Sequence, residues 1–487
     1  MAALDRSAPV AVIGCGAMGQ GIAQVAAQAG HPVLLLDSRP GAAAAAVQGI
    51  ARALGKLVEK GKLAAGERDA VVARLTPVSG AAELGDAALV VEAIVEDLAV
   101  KQAVFKEVEA VVRPDAILAS NTSSLPITAI AAALERPERF AGMHFFNPAP
   151  LMALVEVIRG VATDPAVAET LFDTAKAWGK APVHARSTPG FIVNRVARPF
   201  YAEALRLLQE GAGSPATLDA VMRESGGFRM GPFELMDLIG HDVNFAVTSS
   251  VHRAYFGDPR FQPSLVQQEL VEAGRLGRKT GQGFYRYAPD PELPQPHTAE
   301  PGPAPRRIEG ELASGRLVVD GVTLALTDGR SATRRAAEEG IADLVLFDLA
   351  LDYATAPRLA VAAADQASPD ALRTAVGYLQ SLGKTVSVLD DAPGLVVMRT
   401  VAMLANEAAD AVLHGVASAA DVDTAMTKGV NYPLGPLAWA GRIGIGRVAA
   451  VLDALASTYG EDRYRTSALI RRKVWAKKDF GGTGFHG

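Results

Sequence analysis

The segment Val10-Ala11-Val12-Ile13-Gly14-Cys15-Gly16-Ala17-Met18-Gly19 constrains the fold of this chain more than any other. Its short apolar run reads as a buried strand, and the small residues that follow, through Ala29, read as a helix. Gly14 makes the tight turn between them, Gly16 lets the backbone approach a pyrophosphate, and Gly19 lets helix and strand pack closely. The free N–H groups at the helix start, around Ala17 and Met18, add the dipole of the helix and favour a phosphate there. A second buried strand, Val33 to Leu36, ends at Asp37, 23 residues after Gly14. A carboxylate at that place accepts hydrogen bonds from an adenine ribose and repels a 2′-phosphate. The fingerprint therefore implies NAD as cofactor in preference to NADP, with Arg39 as the one neighbouring feature against it. Cys15 fills a variable slot and is expected to be an inert, buried or half-buried thiol.

A chain of 487 residues exceeds one ordinary core, so two to four domains are expected. A net charge of −5 gives no general attraction to nucleic acid. One cysteine forbids an internal disulfide and suits a reducing compartment. No apolar run approaches the length of a membrane span, and Met1 to Ala8, leading directly into the first strand, are expected to leave no room for a signal peptide. A cytoplasmic enzyme with no membrane partner is the expectation.

Residues 1–187 alternate apolar runs with helical stretches. The strand candidates are Val10–Ile13, Val33–Asp37, Ala88–Glu92, Ile117–Ser120, Phe140–Phe145 and Leu154–Ile158, with helices around 41–60, 99–113 and 165–178. That alternation predicts an α/β Rossmann-type domain with a parallel, doubly wound sheet. Helical composition dominates 188–288, with a long amphipathic run from Phe191 to Gln209 and shorter ones at Thr217–Glu224, Phe233–Ile239 and Ser264–Ala273. Seven prolines between Ala288 and Pro305 make a stiff linker over 289–306. Residues 307–391 carry further apolar runs at Leu317–Val319, Leu324–Leu326, Leu344–Phe347, Leu359–Ala362 and Val386–Leu389, without a glycine fingerprint. They read as a reduced α/β segment.

Residues 392–487 repeat the helical segment. Pro189-Gly190-Phe191-Ile192-Val193-Asn194-Arg195 matches Pro393-Gly394-Leu395-Val396-Val397-Met398-Arg399 at an offset of 204. Glu203 then meets Glu407, Asp219 meets Asp423, and Gly231-Pro232 meets Gly435-Pro436 in the same register. Met398 stands where the first copy has Asn194, so polar work done by Asn194 is not repeated.

Two clusters carry chemistry. Ser120-Asn121-Thr122-Ser123-Ser124 follows a strand, at the sheet edge where such folds bind ligands. A helix cap before Pro126 is the alternative, and it would use only one of these side chains. His144 ends one apolar run and Glu156 sits within the next. A buried charge needs a partner. Histidine is suited to taking a hydroxyl proton near neutrality, and a carboxylate on its other ring nitrogen would orient it. A core histidine with a structural role is the competing reading.

The fingerprint, the Ser120–Ser124 cluster, His144-Phe145-Phe146-Asn147-Pro148, Pro189 to Arg195, Gly231-Pro232-Phe233-Glu234-Leu235 and Lys279-Thr280-Gly281-Gln282-Gly283-Phe284-Tyr285 occur in the order of the 3-hydroxyacyl-CoA dehydrogenase family, which residues 9–287 closely resemble. The second helical copy, with Asn431-Tyr432-Pro433-Leu434-Gly435-Pro436, resembles the long form of that family. The resemblance implies NAD-dependent oxidation of an (S)-3-hydroxyacyl-CoA. It implies His144 as general base, Glu156 as its partner, and Ser123 and Asn194 as donors to the reacting oxygen and thioester region. It assigns NAD contacts to Asp37, Glu96, Lys101, Asn147 and Lys279, with solvated lysine as the rival reading for Lys101 and Lys279. Lys56 and Lys60 lie where relatives bind coenzyme A, although a solvated helix face is the favoured reading for each lysine taken singly. Relatives often carry a lysine where Ala153 stands, so no cationic contact is carried over there.

The long form implies a 3-hydroxyadipyl-CoA substrate in phenylacetate breakdown, with short-chain 3-hydroxybutyryl-CoA as the alternative. A β-hydroxyacid dehydrogenase shares the Gly14-x-Gly16-x-Met18-Gly19 opening but would rely on a lysine of the helical domain, and a non-enzymatic binder would not need His144 and Glu156. The repeated helical segments are expected to pair as an internal pseudo-dimer, with a homo-oligomer also open.

Overall fold

The computed structural model describes residues 2–291 and 294–480. Glu292 and Leu293 of the Pro-rich stretch, and the last seven residues of the second helical segment, lie outside the described residues. The chain separates into two compact units, residues up to 193 with 414–430, and residues 194–413 with 431 onward.

An eight-stranded sheet organises the first unit. Its strands are β1 (Val10–Ile13), β2 (Val33–Leu36), β3 (Leu75–Pro77), β4 (Leu89–Glu92), β5 (Ile117–Ser120), β6 (Phe140–Phe145), β7 (Leu154–Arg159) and β8 (Ala181–Arg186), in spatial order β3-β2-β1-β4-β5-β6-β7-β8. Helices α1 (Ala17–Ala29), α2 (Ala42–Glu59), α3 (Ala65–Val72), α4 (Leu98–Val111), α5 (Ile127–Ala131) and α6 (Pro165–Ala177) connect them. The central strands β1, β4 and β5 are buried along their whole length, which is why they read as unbroken apolar runs. β3 and β8 carry no such signal. β3 is a three-residue edge strand with two exposed positions, and β8 mixes Pro182, His184 and Arg186 into its run.

The sheet is parallel from β3 through β6 and then reverses. β7 pairs antiparallel with β6, and β8 runs parallel to β7. This corrects the all-parallel sheet read from the sequence. The eight residues between Phe145 and Leu154 are too few for a crossover and suffice only for a hairpin.

The second unit contains most of the helical segments and a second sheet. The first helical segment comprises α7 (Val193–Val196), α8 (Arg198–Gln209), α9 (Pro215–Glu224), α10 (Pro232–Ile239), α11 (His241–Ala254) and α12 (Leu265–Glu272). The single run expected over 191–209 is broken at Ala197, because Pro199 lacks the N–H that would continue the helix. α11 gave no sequence signal, and it buries only His241, Asn244 and Val251.

The second sheet has six strands, β9 (Ile308–Glu311), β10 (Arg316–Val319), β11 (Val322–Leu326), β12 (Leu344–Phe347), β13 (Arg358–Ala363) and β14 (Thr385–Val388), ordered β14-β13-β12-β11-β10-β9. Only α13 (Ala332–Glu339) and α14 (Pro369–Ser381) accompany it. The chain ends in α15 (Val397–Leu413), α16 (Ala419–Gly429), α17 (Pro436–Ile443), α18 (Ile445–Tyr459) and α19 (Ala468–Ala476). α16 belongs to the first unit, where it packs on β7 and β8, and Val416 O accepts from Arg186 N at 2.8 Å. The compact units therefore do not follow the segment boundaries read along the chain.

The repeat is visible in the backbone. Phe191 and Leu395, 204 residues apart, both hold a left-handed conformation, with φ of 46° and 53°. It is visible in the packing too. α8 and α15 pack together, and charges are exchanged between α15 and the α7–α8 stretch: Arg195 Nε of α7 donates to Glu407 of α15 at 2.5 Å, and Arg399 Nε of α15 donates to Glu203 of α8 at 2.8 Å. The offset that carries Arg195 onto Arg399 carries Glu203 onto Glu407. All four side chains are at most 2% exposed. Removing one partner of a buried pair strands the other charge. Arg399→Met is therefore expected to lower stability by about 3–5 kcal/mol, and adding Glu203→Met to recover part of that loss, as read from urea unfolding.

Candidate active site

The reversal after β6 builds the site. In the antiparallel register His144 lies directly opposite Glu156, with both side chains on one face. His144 Nδ1 stands 2.7 Å from Glu156 Oε2. An ionised carboxylate only accepts, so Nδ1 carries the proton and Nε2 keeps its lone pair. Among the described residues Nε2 has no hydrogen-bond partner. The pair is buried, with Phe146 and Phe191 packed around the imidazole at 4.6 and 5.9 Å between ring centres.

Glu156 has a second task. Its Oε1 accepts from Ile192 N and Val193 N, both at 3.0 Å. One carboxylate thus orients the imidazole and anchors the strained turn at Phe191, immediately before Asn194. The Asn194 side chain is half-buried and makes no hydrogen bond among the described residues.

The Ser120–Ser124 cluster divides by function. Ser120 Oγ donates to Glu92 at 2.7 Å, and Asn121 Oδ1 accepts from Phe145 N at 2.8 Å, tying the ends of β5 and β6 together. Glu96 accepts from Thr122 Oγ1 at 2.6 Å, from Ser123 N and Ser124 N at 3.0 Å, and from Ser124 Oγ at 2.9 Å. Burial works to raise the Glu96 carboxyl, but Thr122, Lys101 and Ser124 hold it below its ordinary value. Ser123 Oγ alone is exposed and uncommitted among the described residues. The helix-cap alternative does not apply, since Pro126 occupies the N-cap of α5.

Lys101 is not the solvated lysine of its alternative reading. It is 1% exposed, and its Nζ sits 2.6 Å from Glu92 and 3.3 Å from Glu96. It therefore acts on the loop through Glu96. The sequence reading passed over Glu92, which appeared only as a strand end, yet it is fully buried and also receives Ile94 N. Asn147 is exposed. Lys279, in the second unit, is exposed and paired with Asp242 at 2.5 Å. Lys56, in the last turn of α2, and Lys60, which ends it, are exposed and unpaired among the described residues.

The glycine turn fits a dinucleotide. A Cβ on Gly19 would fall 1.7 Å from Gly14 O, and one on Gly14 would fall 2.4 Å from Ala93 O. Those two glycines are dictated by packing within the protein. A Cβ on Gly16 would meet nothing within 4 Å, so nothing inside the chain requires a glycine there. Gly16 and Ala17 are exposed, Met18 is half-buried, and α1 begins with neither a side-chain cap nor an acidic residue in its first turn. The donors at this helix start are open to an anion. Asp37 Oδ2 accepts from Cys15 N at 2.8 Å, and Arg39 and the local backbone hold its carboxyl down to about 2. Arg39 is thereby committed to Asp37. Burial and Asp37 push the Cys15 thiol up to about 11, as an inert thiol requires.

Family models agree with this architecture. The NAD binding domain of 3-hydroxyacyl-CoA dehydrogenase matches residues 9–188, and its C-terminal domain matches both 190–287 and 394–484. The reduced Rossmann-fold domain of 3-hydroxybutyryl-CoA dehydrogenase matches 324–393. The chain is 48% identical over 467 residues to a 3-hydroxyadipyl-CoA dehydrogenase of Escherichia coli K12, covering 96% of this chain and 97% of that protein. It is 44% identical over 284 residues to the human mitochondrial hydroxyacyl-coenzyme A dehydrogenase, covering 57% of this chain and 90% of that protein. A crystal structure described as 3-hydroxybutyryl-CoA dehydrogenase from Escherichia coli K12 superposes with a TM-score of 0.93 at 47% identity, covering 97% of this chain and 99% of that one.

The two kinds of glycine separate experimentally. Gly16→Ala is expected to leave the melting temperature unchanged while weakening NADH binding at least ~10-fold, because the added methyl occupies only the pyrophosphate approach. Gly19→Ala is expected to lose both. Calorimetric titration and a thermal melt of each variant check this.

Proposed function

The chain belongs to the 3-hydroxyacyl-CoA dehydrogenase family, and from that premise we propose that it oxidises an (S)-3-hydroxyacyl-CoA to the 3-oxoacyl-CoA with NAD⁺. The reaction removes a hydride from C3 and a proton from the C3 hydroxyl. Bound NAD⁺ supplies the hydride acceptor, held by the backbone of Gly14, Gly16, Ala17, Met18 and Gly19 and by Asp37. The single observation that carries the reading is the His144–Glu156 pair with Nε2 left open. His144 accepts the hydroxyl proton on Nε2, and Glu156 stabilises the resulting imidazolium through Nδ1–H. Ser123 Oγ and the Asn194 amide, both uncommitted, donate to the substrate oxygen and polarise the 3-oxo group in the reverse direction. Asn147 and Lys279 are assigned to NAD, Glu96 and Lys101 shape the loop beside it, and Lys56 and Lys60 offer charge to coenzyme A. No helix among the described residues is long and apolar enough to cross a membrane, and a cytoplasmic setting accords with the single buried thiol.

For the acyl chain we favour 3-hydroxyadipyl-CoA, which would place the enzyme in phenylacetate breakdown. The long relative with that printed name matches nearly the whole chain. 3-Hydroxybutyryl-CoA is the second reading, favoured by the printed description of the superposing structure. We further propose that the exchanged pairs Arg195–Glu407 and Arg399–Glu203 mark an internal pseudo-dimer, since mutual contacts of this kind characterise two-fold interfaces.

His144→Gln is expected to cut turnover by roughly 10²–10⁴-fold while NADH binding survives. Near-normal turnover would remove His144 from its role. Steady-state assays with the adipyl and butyryl thioesters in parallel choose between the substrates. A fragment ending near Tyr287 is expected to dimerise on size exclusion, and a stable monomer would remove the motive for internal pairing.

A further inference from the structure

The helical part of the second unit holds a partly open cavity of about 470 Å³. Four arginines line it: Arg198 and Arg206 on α8, Arg260 in the turn before α12, and Arg463 ahead of α19. Three of them face carboxylates. Arg206 pairs with Glu210 and Glu461, Arg260 with Asp410 and Glu407, and Arg463 lies 3.6 Å from Glu203.

Arg198 has no carboxylate within ion-pairing distance among the described residues. It is 5% exposed. Its Nη1 donates to Thr248 Oγ1 at 3.0 Å, and its guanidinium lies 4.9 Å from the centre of the Tyr201 ring. Its Nε is buried without a hydrogen bond. Burial pushes the guanidinium below its ordinary value. A buried charge without a counter-ion is costly, and proteins keep one where a ligand supplies the opposite charge.

A second, independent feature opens on the same space. Ser264 holds the N-cap position of α12 but makes no capping bond, and its hydroxyl is buried without a partner. Nε of Arg260 and Nε of Arg463 likewise make no hydrogen bond. Arg198, Arg260, Ser264 and Arg463, each with a donor that has no hydrogen bond among the described residues, thus line one cavity, while Leu205, Phe261 and Pro263 add an apolar side. Its volume is that of an ordinary metabolite site.

We propose that this cavity binds a small organic anion, with Arg198 and Ser264 taking its carboxylate or phosphate oxygens and Leu205 and Phe261 lying along its apolar body. The Arg198 guanidinium offers the planar fork that suits such oxyanions. The anion is either a free metabolite or the far end of an acyl chain, and the chemistry of recognition is the same for both.

The test uses the full-length protein, with adipate and inorganic phosphate as probes. At least one probe is expected to raise the melting temperature saturably, with Kd below ~1 mM. Arg198→Met is expected to melt higher than the parent without ligand, because it deletes an unpaired charge, and to bind the probe at least ~10-fold more weakly. Ser264→Ala weakens the probe with no gain in melting temperature. Should Arg198→Met not fold, Arg198→Lys and Ser264→Ala carry the same comparison. KM values then locate the source. A rise confined to thioesters whose acyl chain ends in a carboxylate assigns the anion to the substrate, and unchanged KM values assign it to a separate ligand. No melting shift with either probe at about 10 mM, or a shift that Arg198→Met leaves intact, overturns the proposal. The binding measurements do not depend on the reaction proposed above, so the two readings fail separately.

Discussion

The buried carboxylate of Glu156 is the group on which the rest of the site depends. It takes Nδ1–H of His144 on one oxygen and two backbone N–H groups, Ile192 and Val193, on the other. A single charge therefore sets the imidazole tautomer and holds the turn that leads to Asn194. Neither task tolerates a neutral stand-in well, because an amide in place of the carboxylate would leave one buried donor unpaired.

The second half of the chain separates these two tasks. Asp348 follows β12 and accepts from Val396 N, Val397 N and Met398 N at 2.8–3.0 Å. Val396 and Val397 are the repeat partners of Ile192 and Val193. The turn is anchored as in the first half, and burial pushes the Asp348 carboxyl up to about 6. No histidine faces Asp348 in the hydrogen bonds it makes among the described residues, and Met398 replaces the amide. The second half keeps the structural half of the Glu156 device without its chemistry. Its packing role persists in the arginine–glutamate pairs exchanged between α15 and the α7–α8 stretch.

Elements with one strongly biased face were legible from residues alone. β1, β5 and β6 stand where their apolar runs begin and end, and the pairing of His144 with Glu156 that the sequence predicts is present at 2.7 Å. Elements whose order comes from neighbours were not. β3 and β8 show no alternation, and α11 buries too few residues to show a stripe. The buried, supporting roles of the residues beneath the site were illegible for the same reason. Glu92, Lys101 and Asn121 are polar residues satisfied by partners distant in sequence or hidden below the surface, and nothing local distinguishes them from solvated ones.

The sequence by itself determined the dinucleotide turn, the two-copy architecture and the pairing of His144 with Glu156, since each rests on residue type and on spacing along the chain. Tertiary structure alone decided that β7 runs against β6, that α16 joins the first unit, and that Arg198 is buried without a counter-charge among the described residues. Strand direction, burial and charge pairing are relations between segments far apart in the chain, and they take values only when the chain has folded.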